Sequence, residues 1–219
     1  MATTAAQPLP MPLLPPIPDL EFHPDAHRYR YKGDWLLYSV TQVVSDLDDK
    51  ARKRIEETKH IWEPRGNAVH EFLESFLIGE ALTNPGDYTD WTNALLGCWI
   101  WEGCEVLAAE YRLVDPIKRV AGSFDGLIKT AKGTTCLFDL KTVSSAPAAK
   151  SRKPAEAQLG AYRSMLATHH PYLQIDKCLT IVVGPGACEI KTSDPDACVA
   201  QWVDAWDRHV ADQELLYAF

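Results

Sequence analysis

The tripeptide Asp139-Leu140-Lys141 is the part of the sequence with the strongest chemical character. It lies in the apolar run CLFDLKT, which has the composition of a β-strand. Residues two apart in a strand project to the same face, so we expect the Asp139 carboxylate and the Lys141 ammonium to lie together. Burying both charges is costly unless they pair or bind a ligand. The tripeptide therefore predicts either an ion pair on an edge strand or part of a binding site.

Asp125 supplies a second carboxylate, on the segment GSFDGLI that precedes the Asp139 strand. A β-hairpin between the two segments can bring Asp125 beside Asp139. Neighbouring carboxylates repel and raise one pKa unless a divalent cation lies between them. A plain Asp-Gly turn is the alternative for Asp125, although the apolar residues around it favour a strand. Glu110, on the strand before, is a candidate for a third acid.

The segments around these acids predict a sheet built mostly from chain neighbours. AEYRLV, RVAGSFDGLIKT and TTCLFDLKTV read as three strands joined by short turns, the second turn covering residues 131–133. CLTIVVG and ACEIKTS predict two more strands, joined at Gly184-Pro185-Gly186. A separate hairpin of two short strands is expected between Glu21 and Val40, around a Lys-Gly-Asp turn.

Helical signals lie before, between and after these strands. Six helices are expected. The first begins at Ser39 or Thr41 and runs through Val44, the second covers the charged segment 48–60, and the third begins at Pro64 and ends before Asn84-Pro85-Gly86. The fourth covers about 87–104, the fifth runs from Pro154 to His169, and the sixth begins near Asp196. A loop is expected over 144–153. This order predicts an α/β fold in which helices flank a central mixed β-sheet.

Composition limits the classes of protein to which the chain can belong. Its 219 residues are 46% hydrophobic and 24% charged, which is typical of a globular domain. The first twenty residues carry six prolines, so we expect an arm over 1–20 and a single domain over 21–219. No apolar run approaches a membrane span, and the N-terminus does not resemble a secretory signal. We therefore expect a cytoplasmic protein with no membrane partner.

Charge is distributed unevenly along the chain. The net charge is −8, which argues against a large nucleic-acid surface. The window from Tyr111 to Lys153, however, contains nine basic and three acidic residues and so carries +6. A basic segment in an acidic chain predicts a local anionic partner.

The motifs taken together resemble the PD-(D/E)XK nuclease superfamily. The closest resemblance is to its RecB-type branch, which includes CRISPR adaptation nucleases, mitochondrial genome-maintenance exonucleases and many phage exonucleases. The two acids of the family signature match Asp125 and Asp139, and its lysine matches Lys141. The resemblance covers about residues 21–185, because HRYRYKGDWLLYSVTQVV is similar to the N-terminal hairpin of phage members.

Two further motifs of the branch are also matched in the correct order. Its upstream histidine, which follows a glycine, matches His70 in RGNAVH, and its Q-x-x-x-Y motif matches Gln158 and Tyr162. Some members hold an iron–sulfur cluster through closely spaced cysteines. Here Cys178, Cys188 and Cys198 are ten residues apart, which does not match that close spacing. We therefore expect no iron–sulfur cluster and interpret the cysteines as small buried hydrophobic residues.

The resemblance implies a restriction-endonuclease-like core and a metal-dependent reaction on DNA. One or two Mg²⁺ or Mn²⁺ ions would be held by His70, Asp125, Asp139 and the backbone carbonyl of Leu140. The nitrogen ligand tilts the preference toward Mn²⁺. Lys141 would orient the attacking water or accept its proton, and Glu110 would hold a second metal or its water.

The resemblance also implies residues that contact DNA. Gln158 would hydrogen-bond a phosphate and Tyr162 would stack on a base. Basic residues expected to contact phosphates are Arg65, Lys150, Arg152 and Lys153, although the last three could equally be a solvated charge run.

The function expected from this reading is a DNA exonuclease that works from DNA ends in phage or prophage recombination or end processing. A structure-specific endonuclease and a catalytically inactive DNA-binding module on the same fold are the alternatives. The intact set Asp125, Asp139 and Lys141 favours an active enzyme. A single-strand annealing or recombination protein is the expected protein partner.

Overall fold

A six-stranded mixed β-sheet organises the chain, of which the computed structural model describes residues 13–45 and 49–217. Its strands are β4 (Tyr38–Ser39), β5 (Glu105–Asp115), β6 (Val120–Lys129), β7 (Thr135–Thr142), β8 (Lys177–Gly184) and β9 (Ala187–Ser193). Strands β5, β6 and β7 form an antiparallel meander, β7 pairs with β8 in parallel, and β8 pairs with β9 antiparallel. The expected α/β class and mixed sheet are confirmed.

Helices cover both faces of this sheet. They are α1 (Val40–Val43), α2 (Asp49–Glu57), α3 (Lys59–Ile78), α4 (Thr89–Leu96), α5 (Ala146–Ser151), α6 (Glu156–His169) and α7 (Pro195–Tyr217). On one face, α1, α6 and α7 bury a cluster that includes Phe124 and Trp202. On the other face, α3 and α4 bury a second cluster around Phe76, Trp101 and Phe138. None of the helices in the described residues is long and apolar enough to cross a membrane.

A small antiparallel sheet precedes the main one. It consists of β1 (Leu20–His23), β2 (Arg28–Tyr31) and β3 (Asp34–Trp35). Lys32 and Gly33 link β2 to β3 with φ values of 50° and 89°, the left-handed pair that a two-residue hairpin turn requires. The hairpin around the Lys-Gly turn is confirmed, but of the expected second strand only Asp34–Trp35 pairs with β2. Tyr38–Ser39 pair with β6 in the main sheet, and β1 is an additional strand that the sequence did not predict.

Two features of the N-terminal region are the cap of its first helix and the packing of residues 13–20 against the domain. Of the two caps that the sequence predicts, Ser39 or Thr41, Ser39 caps α1, through a reciprocal capping box with Gln42. Ile17 is buried in the core, and Leu14 donates its backbone N–H to the carbonyl of Leu107 at 2.8 Å. Residues 13–20 therefore pack against the domain, which differs from the expected arm outside the core. The rest of that arm, residues 1–12, lies outside the described residues.

Several helix boundaries differ from the sequence-based predictions. Helix α3 begins at Lys59, so Pro64 lies inside it and does not open it. A proline at this position removes the backbone hydrogen bond to the carbonyl of His60. The stretch 87–104 is broken into α4 and two short 3-10 segments, Gly86–Tyr88 and Trp99–Trp101. Residues 146–151 form α5 where a loop was expected, since Ser145 caps this helix and Pro147 lies in its first turn.

All six cysteines are free, and every one except the half-buried Cys188 is buried. This burial fits their interpretation as small apolar residues.

Candidate metal and nucleic-acid site

The candidate site lies where the pairing along one edge of strand β6 is interrupted. Strand β5 pairs with one edge of β6 along nearly its whole length. On the opposite edge, β4 pairs with residues 120–121 and β7 pairs with residues 126–129. Residues 122–125 lie between these two partners, which leaves a gap in the sheet at Asp125.

The Asp125 carboxylate spans this gap. Its Oδ2 accepts a hydrogen bond from the backbone N–H of Leu140, and its Oδ1 lies 2.6 Å from Nδ1 of His70. The buried carboxylate thus satisfies an N–H that the missing strand pairing would leave open. The Leu140 carbonyl projects to the same strand edge as this N–H, which is where the sequence reading places it as a metal ligand.

Three side chains from three elements converge at Asp125. His70 on α3, Glu110 on β5 and Asp125 on β6 each offer a ligand atom, and all three atoms lie within 4.8 Å of one another. In the described residues this is the one group of three or more His, Cys, Asp or Glu side chains with such spacing. It shares His70 and Asp125 with the expected ligand set, and it contains Glu110 in place of Asp139.

Glu110 adopts a backbone conformation that is unusual for a strand. Its φ of 42° lies in the left-handed region, and it is opposite Asp125 in the β5–β6 register without pairing with it. Left-handed backbone at a non-glycine residue is strained, and such strain concentrates at functional sites. The strain here turns the carboxylate toward His70, at 3.9 Å, while Ser123 donates a hydrogen bond to it at 3.0 Å.

Asp139 and Lys141 form a second group beside the first, on the shared face that the sequence predicts. Nζ of Lys141 lies 2.7 Å from Oδ2 of Asp139 and donates to Oε1 of Gln158 at 2.9 Å. Nε2 of Gln158 donates in turn to Oδ1 of Asp139 at 2.7 Å and lies 3.1 Å from the Tyr162 hydroxyl. The Gln158 amide therefore fixes both charged groups from helix α6.

The Tyr162 ring is almost fully buried, although the residue borders the cleft that holds the site. Its side chain is 1% exposed and packs against Phe124 in the core, with ring centroids 6.0 Å apart. A buried ring has no face to offer a base, so the expected stacking role of Tyr162 is wrong. Gln158 is also buried, and its amide contacts Asp139 and Lys141 where a phosphate contact was expected.

The charges in the site shift one another's pKa. Burial alone would lower the pKa of His70, but the charge and hydrogen bond of Asp125 and the hydrogen bond to Glu110 raise it to about 10. Burial raises the pKa of Asp125 to about 6, although His70 acts in the opposite direction. For Glu110, burial is outweighed by the contacts with His70, which lower its pKa. Without metal, His70 therefore carries a proton at neutral pH.

The residues present fit a divalent cation. The group offers two carboxylates, which suit Mg²⁺ and Mn²⁺, and one imidazole, a ligand more typical of transition metals. Oδ2 of Asp139 is buried and has no hydrogen bond of acceptable geometry, despite its close ion pair with Lys141. A further metal contact at Asp139 would use this oxygen, whose only close partner among the described residues is the Lys141 ammonium.

These groups line one open cleft of about 870 Å³, called the site cleft below. Of the expected phosphate contacts, Arg65 and Arg152 line it, whereas Lys150 and Lys153 do not. Lys153 instead borders a neighbouring depression with Arg152. Three basic residues of the segment 111–153 therefore reach the site: Arg112, Lys141 and Arg152.

The sequence reading missed one group of residues that line the site cleft. They are Phe22, His27, Tyr29, Trp62 and Arg112. The available signal was the aromatic content of the segment FHPDAHRYRY, which was interpreted only as a hairpin.

Comparisons with known proteins add little. No family model matches the chain, and no curated protein matches it. A crystal structure of a protein designated SSO0001 aligns with a TM-score of 0.37 and 17% sequence identity, covering 77% of this chain and 74% of that one. A similarity of this size supports no conclusion about function.

Proposed function

We propose that the protein is a Mg²⁺- or Mn²⁺-dependent deoxyribonuclease with the restriction-endonuclease-like core of the PD-(D/E)XK superfamily, acting as an exonuclease on DNA ends. The observation that carries this proposal is the juxtaposition of two groups in one cleft. The group His70, Glu110 and Asp125 has metal-ligand spacing, and the ion pair of Asp139 and Lys141 lies beside it.

Each group has a role in phosphodiester hydrolysis. A bound Mg²⁺ or Mn²⁺ supplies Lewis acidity to the phosphate and lowers the pKa of a coordinated water. His70, Glu110, Asp125 and Asp139 would hold it. Lys141 would orient the attacking water, since its ammonium is held by Gln158 and Asp139 next to the metal ligands. Its amine would receive the proton of the water only after losing its own proton.

Charge supports an enzyme that works from ends. The chain carries a net charge of −8, and of the expected phosphate contacts only Arg65 and Arg152 line the site cleft. Few phosphate contacts give weak non-specific binding to internal duplex. We place this activity in the cytoplasm, with a single-strand annealing or recombination protein as the partner that the family resemblance implies.

The test compares linear DNA with closed circles of the same sequence. We expect Mn²⁺ or Mg²⁺ to support complete degradation of linear DNA while circles survive and EDTA stops the reaction. Rapid cutting of circles would show an endonuclease. Binding without cleavage of any DNA would show the inactive module.

A further inference from the structure

Arg65 is a buried cation without an acidic partner. Its side chain is 8% exposed, and none of the ion pairs in residues 13–45 and 49–217 involves it. Its Nε donates to the Thr142 hydroxyl at 3.4 Å, and its guanidinium lies 5.9 Å from the ring centroid of Trp91. Trp91 is itself held by a hydrogen bond of its indole N–H to the Val143 carbonyl at 2.7 Å.

An unpaired buried guanidinium at a cleft indicates an anionic ligand. Burying a charge without a counter-charge is costly, and here burial lowers the pKa of Arg65. The planar fork of arginine matches two oxygens of a phosphate. Arg65 therefore provides a preformed phosphate contact within the site cleft.

A different wall of the site cleft is aromatic. Phe22 and Tyr29 project from the small sheet with their ring centroids 4.8 Å apart, and the Arg112 guanidinium lies 5.4 Å from the Phe22 centroid. Both rings are only half-buried. Rings and guanidinium groups exposed in a cleft are surfaces on which unpaired bases stack.

The two walls flank the metal group. Arg112 belongs to β5 and Thr142 to β7, and these strands pair with opposite edges of β6, which carries Asp125. The site cleft, at about 870 Å³, has the size of a small-molecule site. An open cleft of this size has room for a few nucleotides of one strand.

We propose that the site cleft takes single-stranded DNA, with a backbone phosphate on Arg65 and Thr142 and an unpaired base on Phe22 and Tyr29. This inference rests on the proposed function, because it names the substrate of that same site. Duplex DNA would enter only where its end has frayed.

The test measures binding without cleavage. A short fluorescein-labelled single strand and the blunt duplex of the same sequence are titrated in EDTA with the full chain, and anisotropy gives each affinity. We expect the single strand to bind at least tenfold more tightly than the duplex. Equal affinities, or tighter duplex binding, would overturn the inference.

Matched variants locate the two contacts. Phe22→Leu keeps apolar volume but removes the ring, and we expect it to weaken single-strand binding about tenfold. Its control is Trp35→Leu, because Trp35 is a 40%-exposed aromatic residue of the same small sheet that does not line the site cleft. Arg65→Met should weaken single-strand binding similarly. Its control, Arg163→Met, removes an arginine that pairs with Asp196 outside the cleft.

The outcomes distinguish a failure of this inference from a failure of the proposed function. If Phe22→Leu and Arg65→Met bind the single strand as tightly as their controls, with melting temperatures showing that all four variants fold, the inference is wrong. Cleavage of linear DNA by the wild type would then still support the nuclease. Single-strand binding that depends on Phe22 and Arg65, without any metal-dependent cleavage, would contradict the nuclease and uphold the binding site.

Discussion

One carboxylate oxygen of Asp125 accepts a hydrogen bond from the backbone N–H of Leu140, while the other contacts the ring of His70. The same side chain therefore closes the gap between β6 and β7 and joins the metal-ligand group. The contact between the strands needs only a hydrogen-bond acceptor at Asp125, whereas metal binding needs the negative charge of its carboxylate.

Asp125→Asn separates these two properties. An amide oxygen still accepts the Leu140 N–H, so we expect the metal-free variant to fold, with a melting temperature lowered only by the loss of the ion pair with His70. The charge on the metal-ligand group is lost, and calorimetric titration should show Mn²⁺ binding weakened at least tenfold. Wild-type Mn²⁺ affinity in the variant would show that Asp125 is a structural residue only.

Metal binding should depend on pH through His70. The pKa of this residue is raised to about 10, so a proton must leave the imidazole before it can bind a cation. Between pH 7 and pH 9 we expect the apparent Mn²⁺ affinity to rise about tenfold per pH unit. Titrations in buffers of different ionisation enthalpy should show release of about one proton.

The same proton also affects the stability of the metal-free protein. Because the pKa of His70 is higher in the folded state, its contribution is complete below pH 6.5 and is lost as the pH rises toward 10. In His70→Gln, both this loss of stability and the pH dependence of Mn²⁺ binding should disappear. An unchanged pH dependence in the variant would assign the proton to another group.

Tyr162→Phe tests the burial of the Q-x-x-x-Y tyrosine. The variant loses the contact between the hydroxyl and Gln158, which should lower the free energy of unfolding by about 1 kcal/mol. Because the ring lies in the core, the KM for DNA should not change. Urea unfolding and steady-state kinetics measure the two effects, and a large rise in KM with unchanged stability would restore the stacking role.

Arg152 should contribute to the salt dependence of DNA binding, whereas Lys150 should not. Each phosphate contact contributes about 0.7 to the log–log salt slope on a single strand. Arg152→Ala should flatten the slope by about this amount, because Arg152 lines the site cleft. Lys150→Ala is the matched control, since Lys150 is exposed and does not line the cleft. Equal slopes for the two variants would place Arg152 outside the DNA path.

The strands could be predicted from the sequence because their apolar alternation and turn residues are local. The five strands from β5 to β9 and the shared face of Asp139 and Lys141 follow from that pattern. Asp125, Asp139, Lys141 and His70 could be singled out because their order along the chain matches a family pattern.

Other features depend on packing between distant segments and could not be read from local sequence. A tyrosine one turn after Gln158 can face the cleft or the core, and here Phe124 and the helix packing hold Tyr162 inside. The burial of Arg65 depends on Trp91 and Thr142, which are far from it in the chain. The left-handed backbone of Glu110 arises in a strand segment without glycine, so no residue type marks it.

The most direct test of the central claim is single-turnover cleavage of end-labelled linear DNA in Mn²⁺, comparing the wild type with Asp139→Asn and Lys141→Met. Asp115→Asn is the control, since Asp115 lies at the end of β5 and does not line the site cleft. We predict that the wild type and the control cleave at similar rates, that EDTA stops both, and that the two site variants lose at least 100-fold in rate while they remain folded. Cleavage by Asp139→Asn at the wild-type rate, or by the wild type in EDTA, would contradict the assignment of this site as a metal-dependent nuclease centre.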